Sequence, residues 1–385
     1  MKTALRLGLI GMGNMGSLHA RIITEGKIPG LELRAVCDEN PERMEKWSGG
    51  SVQSFATASE LIGSGSVDAV LIATPHYSHT TIGIEALKAG LHVLVEKPIS
   101  VHKADAEALL AAHQDPKQVF GAMFNQRTDP RYQKLRELTQ NGELGRIHRI
   151  NWIITDWYRT ESYYASGGWR ATWAGEGGGV LLNQCPHQLD LLCWLFGKPE
   201  RVRAFCQIGR FHEIEVEDSV TAYLEFPDGA TGVFITTTGE APGTNRLEIA
   251  AERGRVVIEG ADIQFIRNEV SSRDWSRDCP DGFAMPPVRE VRLPVSGVST
   301  QHAGILRDFT RSCLEGSELL APASEGIHSV ELANAMLYSS ETGSTVELPL
   351  DAGAFAGLLK KKIERSTFVK RKSEPSGPAN LDNSF

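Results

Sequence analysis

Leu5-Arg6-Leu7-Gly8-Leu9-Ile10-Gly11-Met12-Gly13-Asn14-Met15-Gly16 is the stretch that decides the fold. Apolar residues over 5–10 predict a strand, and the glycines behind it open a helix predicted over 15–24. In that setting a GxGxxG pattern has a physical meaning. The glycines permit a tight turn and let the backbone approach a pyrophosphate, which then sits on the helix N-terminus. Gly11, Met12, Gly13, Asn14, Met15 and Gly16 are therefore candidate cofactor contacts. A second strand, predicted over 31–37, ends at Cys37-Asp38, and Asp38 stands near the spacing at which a carboxylate takes the ribose hydroxyls. A carboxylate there repels a 2′-phosphate and no arginine follows it immediately, so NAD is expected rather than NADP. The alternative, in which the glycines only turn the chain and Asp38 caps a helix from Pro41, is disfavoured because both context tests of the fingerprint are met.

Working outward, strands are predicted over 67–73, 92–95 and 119–124, with helices over 41–47, 79–89 and 103–113. This rhythm is that of βαβ units, giving a doubly wound parallel sheet of five strands. Ala73-Thr74-Pro75 and Glu96-Lys97-Pro98 follow the third and fourth strands. Ligands in open α/β sheets bind beyond the carboxyl ends of strands, so both stretches are expected to line the cofactor crevice. His79 is counted with them, although His76 and His79 could equally serve helix capping or surface packing.

A bridging helix over 130–140 precedes a change of period. Val220, Ala222, Leu224 and Phe226 alternate, Asp228-Gly229 reads as a hairpin turn, and Val233 and Ile235 resume the alternation. Strands over 201–208, 246–251, 255–259 and 291–294, helices over 302–314 and 324–340, and a strand over 346–348 complete an α+β half with a large, mostly antiparallel sheet. The expected organisation is a nucleotide-binding unit over 1–125, a substrate-binding and oligomerisation unit over 126–365, and a polar tail over 366–385.

The 385 residues are 41% hydrophobic and 23% charged, as in ordinary folded proteins. No apolar window reaches spanning length and the N-terminus lacks a signal-peptide layout, so no membrane partner and a cytoplasmic location are expected. Six cysteines without a CxxC pair predict no disulfides in that compartment. The net charge of −8 argues against a nucleic-acid partner. The basic cluster Lys360, Lys361, Lys362, Lys370, Arg371, Lys372 reads as a solvated helix end and frayed tail.

The second chemical stretch is Gly177-Gly178-Gly179-Val180-Leu181-Leu182-Asn183-Gln184-Cys185-Pro186-His187-Gln188-Leu189-Asp190. On a helix, Asn183, His187 and Asp190 fall at i, i+4 and i+7, one polar stripe on an apolar cylinder. Such a stripe either forms its own network or faces a polar ligand. Pro186 should kink this helix. Asp190 could meet substrate or orient His187 from behind. Cys185 and His187 are spaced like metal ligands, but apolar surroundings and the lack of a second pair favour core packing, and no metal is expected. Lys97 near a nicotinamide could stabilise alkoxide character, or could simply pair with Glu96 at the surface.

These motifs together resemble the glucose-fructose oxidoreductase, inositol dehydrogenase and rhizopine-catabolism family over nearly the whole chain. The resemblance implies a Rossmann domain plus an open antiparallel sheet, with Lys97 and His187 as the reactive pair and Asn183 beside them. It implies hydride transfer between NAD and a CH–OH or C=O carbon of a sugar, sugar derivative or cyclitol, and a homodimer or homotetramer joined through the C-terminal sheet. By the same resemblance Asn125 looks like a nicotinamide-side contact, and Tyr158, Trp169 and Arg170 look like pocket wall or cofactor neighbours. Family members usually carry aspartate where this chain has Asn183, and an amide cannot raise the basicity of His187 as a carboxylate would. The aromatic-rich stretch around Trp152 to Trp173 could stack on a sugar face or serve packing. Two other readings stay open: a non-catalytic NAD-binding regulator, and an enzyme acting on glycosides by transient oxidation with tightly held NAD.

Overall fold

In the computed structural model, which describes residues 4–370, six parallel strands form the first sheet in the order β3-β2-β1-β4-β5-β6. They are β1 (Leu5–Ile10), β2 (Leu31–Cys37), β3 (Gln53–Phe55), β4 (Ala69–Ile72), β5 (His92–Val95) and β6 (Phe120–Ala122). The helices α1 (Asn14–Thr24), α2 (Ala58–Gly63), α3 (His76–Lys88) and α4 (Lys103–Ala111) cross between them. Leu7, Leu9, Val70, Leu71, Val93 and Leu94 are buried, as in a parallel sheet covered on both faces.

Two expectations need correction here. The sheet has six strands, not five: β3 pairs through Gln53 to Phe55 with Ala35 to Cys37, and three residues are too few to show a period. The helix expected over 41–47 is a single tight turn, Pro41–Arg43. The Asn40 side chain caps this turn, accepting from Glu42 N at 3.0 Å.

The helix α5 (Pro130–Gln140) starts on a proline at its first position, with Asp129 as cap. The second sheet has nine strands: β7 (Ile147–Ile154), β8 (Arg201–Ile208), β9 (Glu217–Glu225), β10 (Thr231–Thr237), β11 (Asn245–Ala251), β12 (Gly254–Glu259), β13 (Asp262–Asn268), β14 (Val288–Arg292) and β15 (Val346–Glu347). Their order is β14-β13-β12-β11-β7-β10-β9-β8-β15. All neighbours run antiparallel except β7 and β10, which are parallel. The strands β7 and β13 had no counterpart in the sequence reading, and the strand expected over 291–294 lies earlier.

The remaining helices are α6 (Glu161–Ala165), α7 (Pro186–Phe196), α8 (Ser272–Asp278), α9 (Gln301–Glu315), α10 (Ala323–Thr342) and α11 (Ala352–Arg365). Ala222, Leu224 and Phe234 from one face of the second sheet share a core with Leu189 and Leu192 of α7 and Met336 of α10. The helix α9, far beyond residue 125, packs elsewhere: Ile305, Leu306 and Phe309 lie in the core of the first sheet with Leu5 and Val93.

No helix among the described residues is long and apolar enough to cross a membrane. The tail expectation changes at Lys370, whose Nζ donates to the carbonyls of Ser166 at 3.3 Å, Gly167, and Arg170 at 2.9 Å. Arg371, Lys372 and the rest of the expected tail lie outside the described residues.

Candidate functional site

The carboxyl ends of β1, β2, β4 and β5 open onto one crevice of about 870 Å³. Gly11, Met12, Gly13, Asn14, Met15, Asp38, Ala73, Thr74, Pro75, His79, Glu96 and Lys97 line it from the first sheet. Trp169, Arg170 and Asn183 line it from the other side. Sequence reasoning missed several of its walls, among them Arg43, Thr57 and the turn at Ser166, Gly167 and Gly168. Arg43 follows Asp38 too distantly in sequence to flag the pairing, yet its guanidinium lies 3.5 Å from the Asp38 carboxylate.

The glycine loop fits a dinucleotide on its own geometry. A Cβ on Gly11 would stand 2.7 Å from the Ala73 backbone, and one on Gly16 would stand 1.8 Å from Gly11 O. Gly16 therefore packs beneath the turn, while a Cβ on Gly13 would meet nothing within 4 Å, leaving open space against the loop. No side chain caps the start of α1, so its first amides stay free for an anion. Asp38 anchors the loop: Oδ2 accepts from Met12 N at 2.7 Å and Oδ1 from Asn40 N at 2.9 Å.

Behind Lys97 the polar groups are buried. Glu96 Oε1 lies 2.7 Å from His19 Nε2; burial would raise this carboxyl, but the His19 hydrogen bond and charge hold it down to about 2. The expected surface pair of Lys97 with Glu96 is absent in that form, since Glu96 points inward to His19. The Lys97 ammonium instead donates to Asn183 O at 2.8 Å. Burial lowers its affinity for a proton, with Glu96 and Glu176 opposing. The His79 ring lies 2.8 Å by Nδ1 from Pro98 O and 2.9 Å by Nε2 from Thr74 O, tying the two strand-end turns together. His76 packs edge-on to Trp169 at 5.1 Å.

The polar stripe is only partly as expected. Pro186 is the first residue of α7, so the helix is not kinked there; a proline at that position removes an amide that would be unpartnered anyway. Asn183 belongs to the preceding turn, where its N–H bonds Gly179 O at 2.9 Å. His187 is buried edge-on to Phe124 at 6.2 Å. Burial and the Lys97 charge hold its imidazole well below the ordinary 6.5, so it is neutral.

Asp190 does not line the crevice. Its oxygens accept from Arg127 Nε at 2.8 Å and Nη2 at 2.6 Å, with both side chains nearly fully buried. The acid thus serves a buried ion pair rather than substrate or His187. Asn125, Tyr158 and His187 are likewise not among the residues lining the crevice: His187 is buried behind it, Asn125 is buried and donates to Gln301 Oε1, and Tyr158 is exposed. Glu176, overlooked beside the three glycines, is buried and bonded to Asn183.

Residues 5–124 match the model of the oxidoreductase family with NAD-binding Rossmann fold, and residues 132–257 match the C-terminal domain of the GFO/IDH/MocA proteins. The chain belongs to this family. Its members include proteins named for dehydrogenase activity. The myo-inositol 2-dehydrogenase of Thermotoga maritima is 26% identical over 66% of this chain and 75% of its own length. The levoglucosan dehydrogenase of Pseudarthrobacter phenanthrenivorans is 25% identical over 90% of this chain and 98% of its own. Among solved structures, the WlbA dehydrogenase of Chromobacterium violaceum, in complex with NADH and UDP-GlcNAcA, superimposes with a TM-score of 0.78 at 28% identity, covering 91% of this chain and 97% of that one. The chain is accordingly an NAD-binding oxidoreductase of the sugar and inositol dehydrogenase family.

Proposed function

We propose that this protein moves a hydride between NAD and a CH–OH or C=O carbon of a sugar, sugar derivative or cyclitol. The observation that carries the proposal is Lys97: a half-buried ammonium at the crevice, held at 2.8 Å by a peptide carbonyl, with a neutral buried imidazole on the neighbouring α7. Bound NAD supplies the hydride acceptor.

The residues of the chain supply the rest. The loop Gly11 to Gly16 with the amides of α1 takes the pyrophosphate, and Asp38 faces the ribose. His187, neutral because of burial, accepts the hydroxyl proton, and Lys97 donates a hydrogen bond to the oxygen as negative charge grows on it. In the opposite direction the imidazolium of His187 returns one proton to the oxygen while Lys97 donates a hydrogen bond to it. Asn183 takes a substrate hydroxyl, with Trp169 and Arg170 as the facing wall. The relatives named for inositol and levoglucosan support a cyclic polyol as the substrate class. Six free thiols suit a reducing cytoplasm.

The outer face of the second sheet leaves Phe205 and Tyr223 exposed, and we assign this face to a homodimer or homotetramer contact. The activity is tested by following nicotinamide absorbance with NAD and NADP against cyclitols, sugars, glycosides and keto-sugars, with His187→Ala in parallel. Turnover with NAD that drops by about 10²–10⁴-fold in the variant is expected. Turnover equal in wild type and variant would remove His187 from the chemistry.

A further inference from the structure

Four residues before His187 the chain carries Asn183, an amide that holds no charge. A carboxylate nevertheless stands behind it. Glu176 is 1% exposed; its Oε2 accepts from Ala171 N at 2.7 Å and its Oε1 from Asn183 Nδ2. Asn183 in turn accepts the Lys97 ammonium through its backbone oxygen at 2.8 Å. A chain of contacts therefore runs from a buried acid through one asparagine to the ammonium at the crevice. With Nδ2 turned to Glu176, the amide atom left for the crevice, which Asn183 lines, is Oδ1.

We infer that Glu176 is a positioning residue for this site: it fixes the Asn183 amide with its oxygen toward substrate, pins the turn whose carbonyl holds Lys97, and supplies from one residue behind the negative charge that asparagine lacks. The inference rests on the role proposed above for Lys97. Glutamine at 176 could still accept from Ala171 N, but its own NH₂ would then face Asn183 Nδ2. Two donors cannot pair, so the Asn183 amide would have to turn over and present a donor to the crevice.

Charge works in the same direction. Burial raises the Glu176 carboxyl, while Arg170, the Ala171 amide, the Asn183 amide and Lys370 stabilise its anion. Burial lowers Lys97; Glu96 and Glu176 oppose this, and Arg170 and Arg159 reinforce it. Four imidazoles also face the Lys97 charge: His76 and His79 on α3, His187 on α7 and His302 on α9. The Cys185 thiol feels it too. Apart from Glu176 and Asn183 themselves, none of these groups changes in the variants below, so a shift in Lys97 reports the carboxylate.

The test compares wild type, Glu176→Gln and the exchange variant Glu176→Gln with Asn183→Asp. Lys97 titration is read without substrate, from the pH dependence of its acylation by a small reagent mapped by mass spectrometry. NADH binding by fluorescence checks the fold, and kcat/KM against pH reads the reaction. Glu176→Gln should lower the Lys97 midpoint by about one pH unit, raise KM, and leave NADH affinity within about threefold. The exchange variant should return the midpoint and kcat/KM toward wild type, because a carboxylate again stands beside Lys97. An unmoved Lys97 midpoint in a Glu176→Gln protein that binds NADH normally overturns the inference, as does an exchange variant no better than the single one. If Glu176→Gln does not fold, the exchange variant decides alone: folded with a wild-type Lys97 midpoint it supports the inference, otherwise it overturns it. Wild-type protein without turnover would count against the dehydrogenase reading, while the labelling result would still judge Glu176.

Discussion

Lys97 carries its amine in a place that discourages charge. Burial disfavours the ammonium, yet the anions Glu96 and Glu176 oppose that effect, a balance suited to a group that must stabilise transient negative charge. Glu217, at the start of β9, is a different case. Burial lifts its carboxyl to about 7 against hydrogen bonds from the backbone around Gly179 and Leu181, and its Oε2 finds no partner among the described residues. Its folded value lies above its ordinary 4.5, so the stability it contributes is full below that value and lost as the pH rises to about 7. Glu217→Gln should therefore flatten the pH dependence of the unfolding midpoint across that window. Thermal melts of wild type and variant at several pH values check this, and parallel curves would show that Glu217 titrates in the folded state as it does in the unfolded chain. Of the site residues, Lys97, Asp38 and the loop glycines were legible because each adjoins a strand end that the local period announces. Glu176 was not: it meets Ala171 within an irregular turn that has no period, and Asn183 only through the turn that the glycines fold.

The helix α7 shows where element-level reading succeeds and where it stops. The apolar run from Leu191 to Leu195 correctly marks a largely buried helix, but Pro186 begins it rather than bending it. A period gives the direction of a side chain, not its partner. Asp190 meets Arg127, which also donates to Leu320 O at 3.0 Å and to Glu325 and stacks over Phe124 and Trp194. This pair joins residues 63 apart in sequence, so no local pattern could reveal it. Removing Asp190 leaves the buried Arg127 with only the partly exposed Glu325 as counter-ion and its Nε and Nη2 donors without their partners. Asp190→Ala should lower folding stability by about 3–5 kcal/mol, measured by urea unfolding, while NADH affinity of the folded fraction stays close to wild type. A stability within 1 kcal/mol of wild type, roughly the size of a surface effect, would contradict the role given to Asp190.

Across the whole molecule, two sheets with two cores meet at the crevice, and the chain crosses back: α9 joins the first core after the second sheet is nearly complete. The alternation of strands and helices revealed the first sheet, and period-two runs revealed most of the second. The strand β7, with Ile150, Trp152 and Ile154 buried, alternates as clearly as β9. It lay hidden within a stretch read for its aromatic side chains. The return of α9 could not be read at all, because amphipathic helices look alike whichever core they cover.

The outer face of the second sheet carries Phe205 at 60% and Tyr223 at 43% exposure on adjacent strands. Replacing both by arginine should shift the protein to a smaller species in sedimentation velocity without loss of NADH binding. An unchanged assembly would place the subunit contact elsewhere.

The measurement closest to the central claim follows the hydride itself. Wild-type protein and Lys97→Met are incubated with NAD and a pool of cyclitols and sugars deuterated at their ring carbons, and the cofactor is analysed by mass spectrometry after rapid quenching. Deuterium on the nicotinamide with wild type, and its loss with Lys97→Met, is the predicted result. NAD that binds normally yet never acquires deuterium from any member of the pool would contradict the account and favour a regulator that only senses the cofactor.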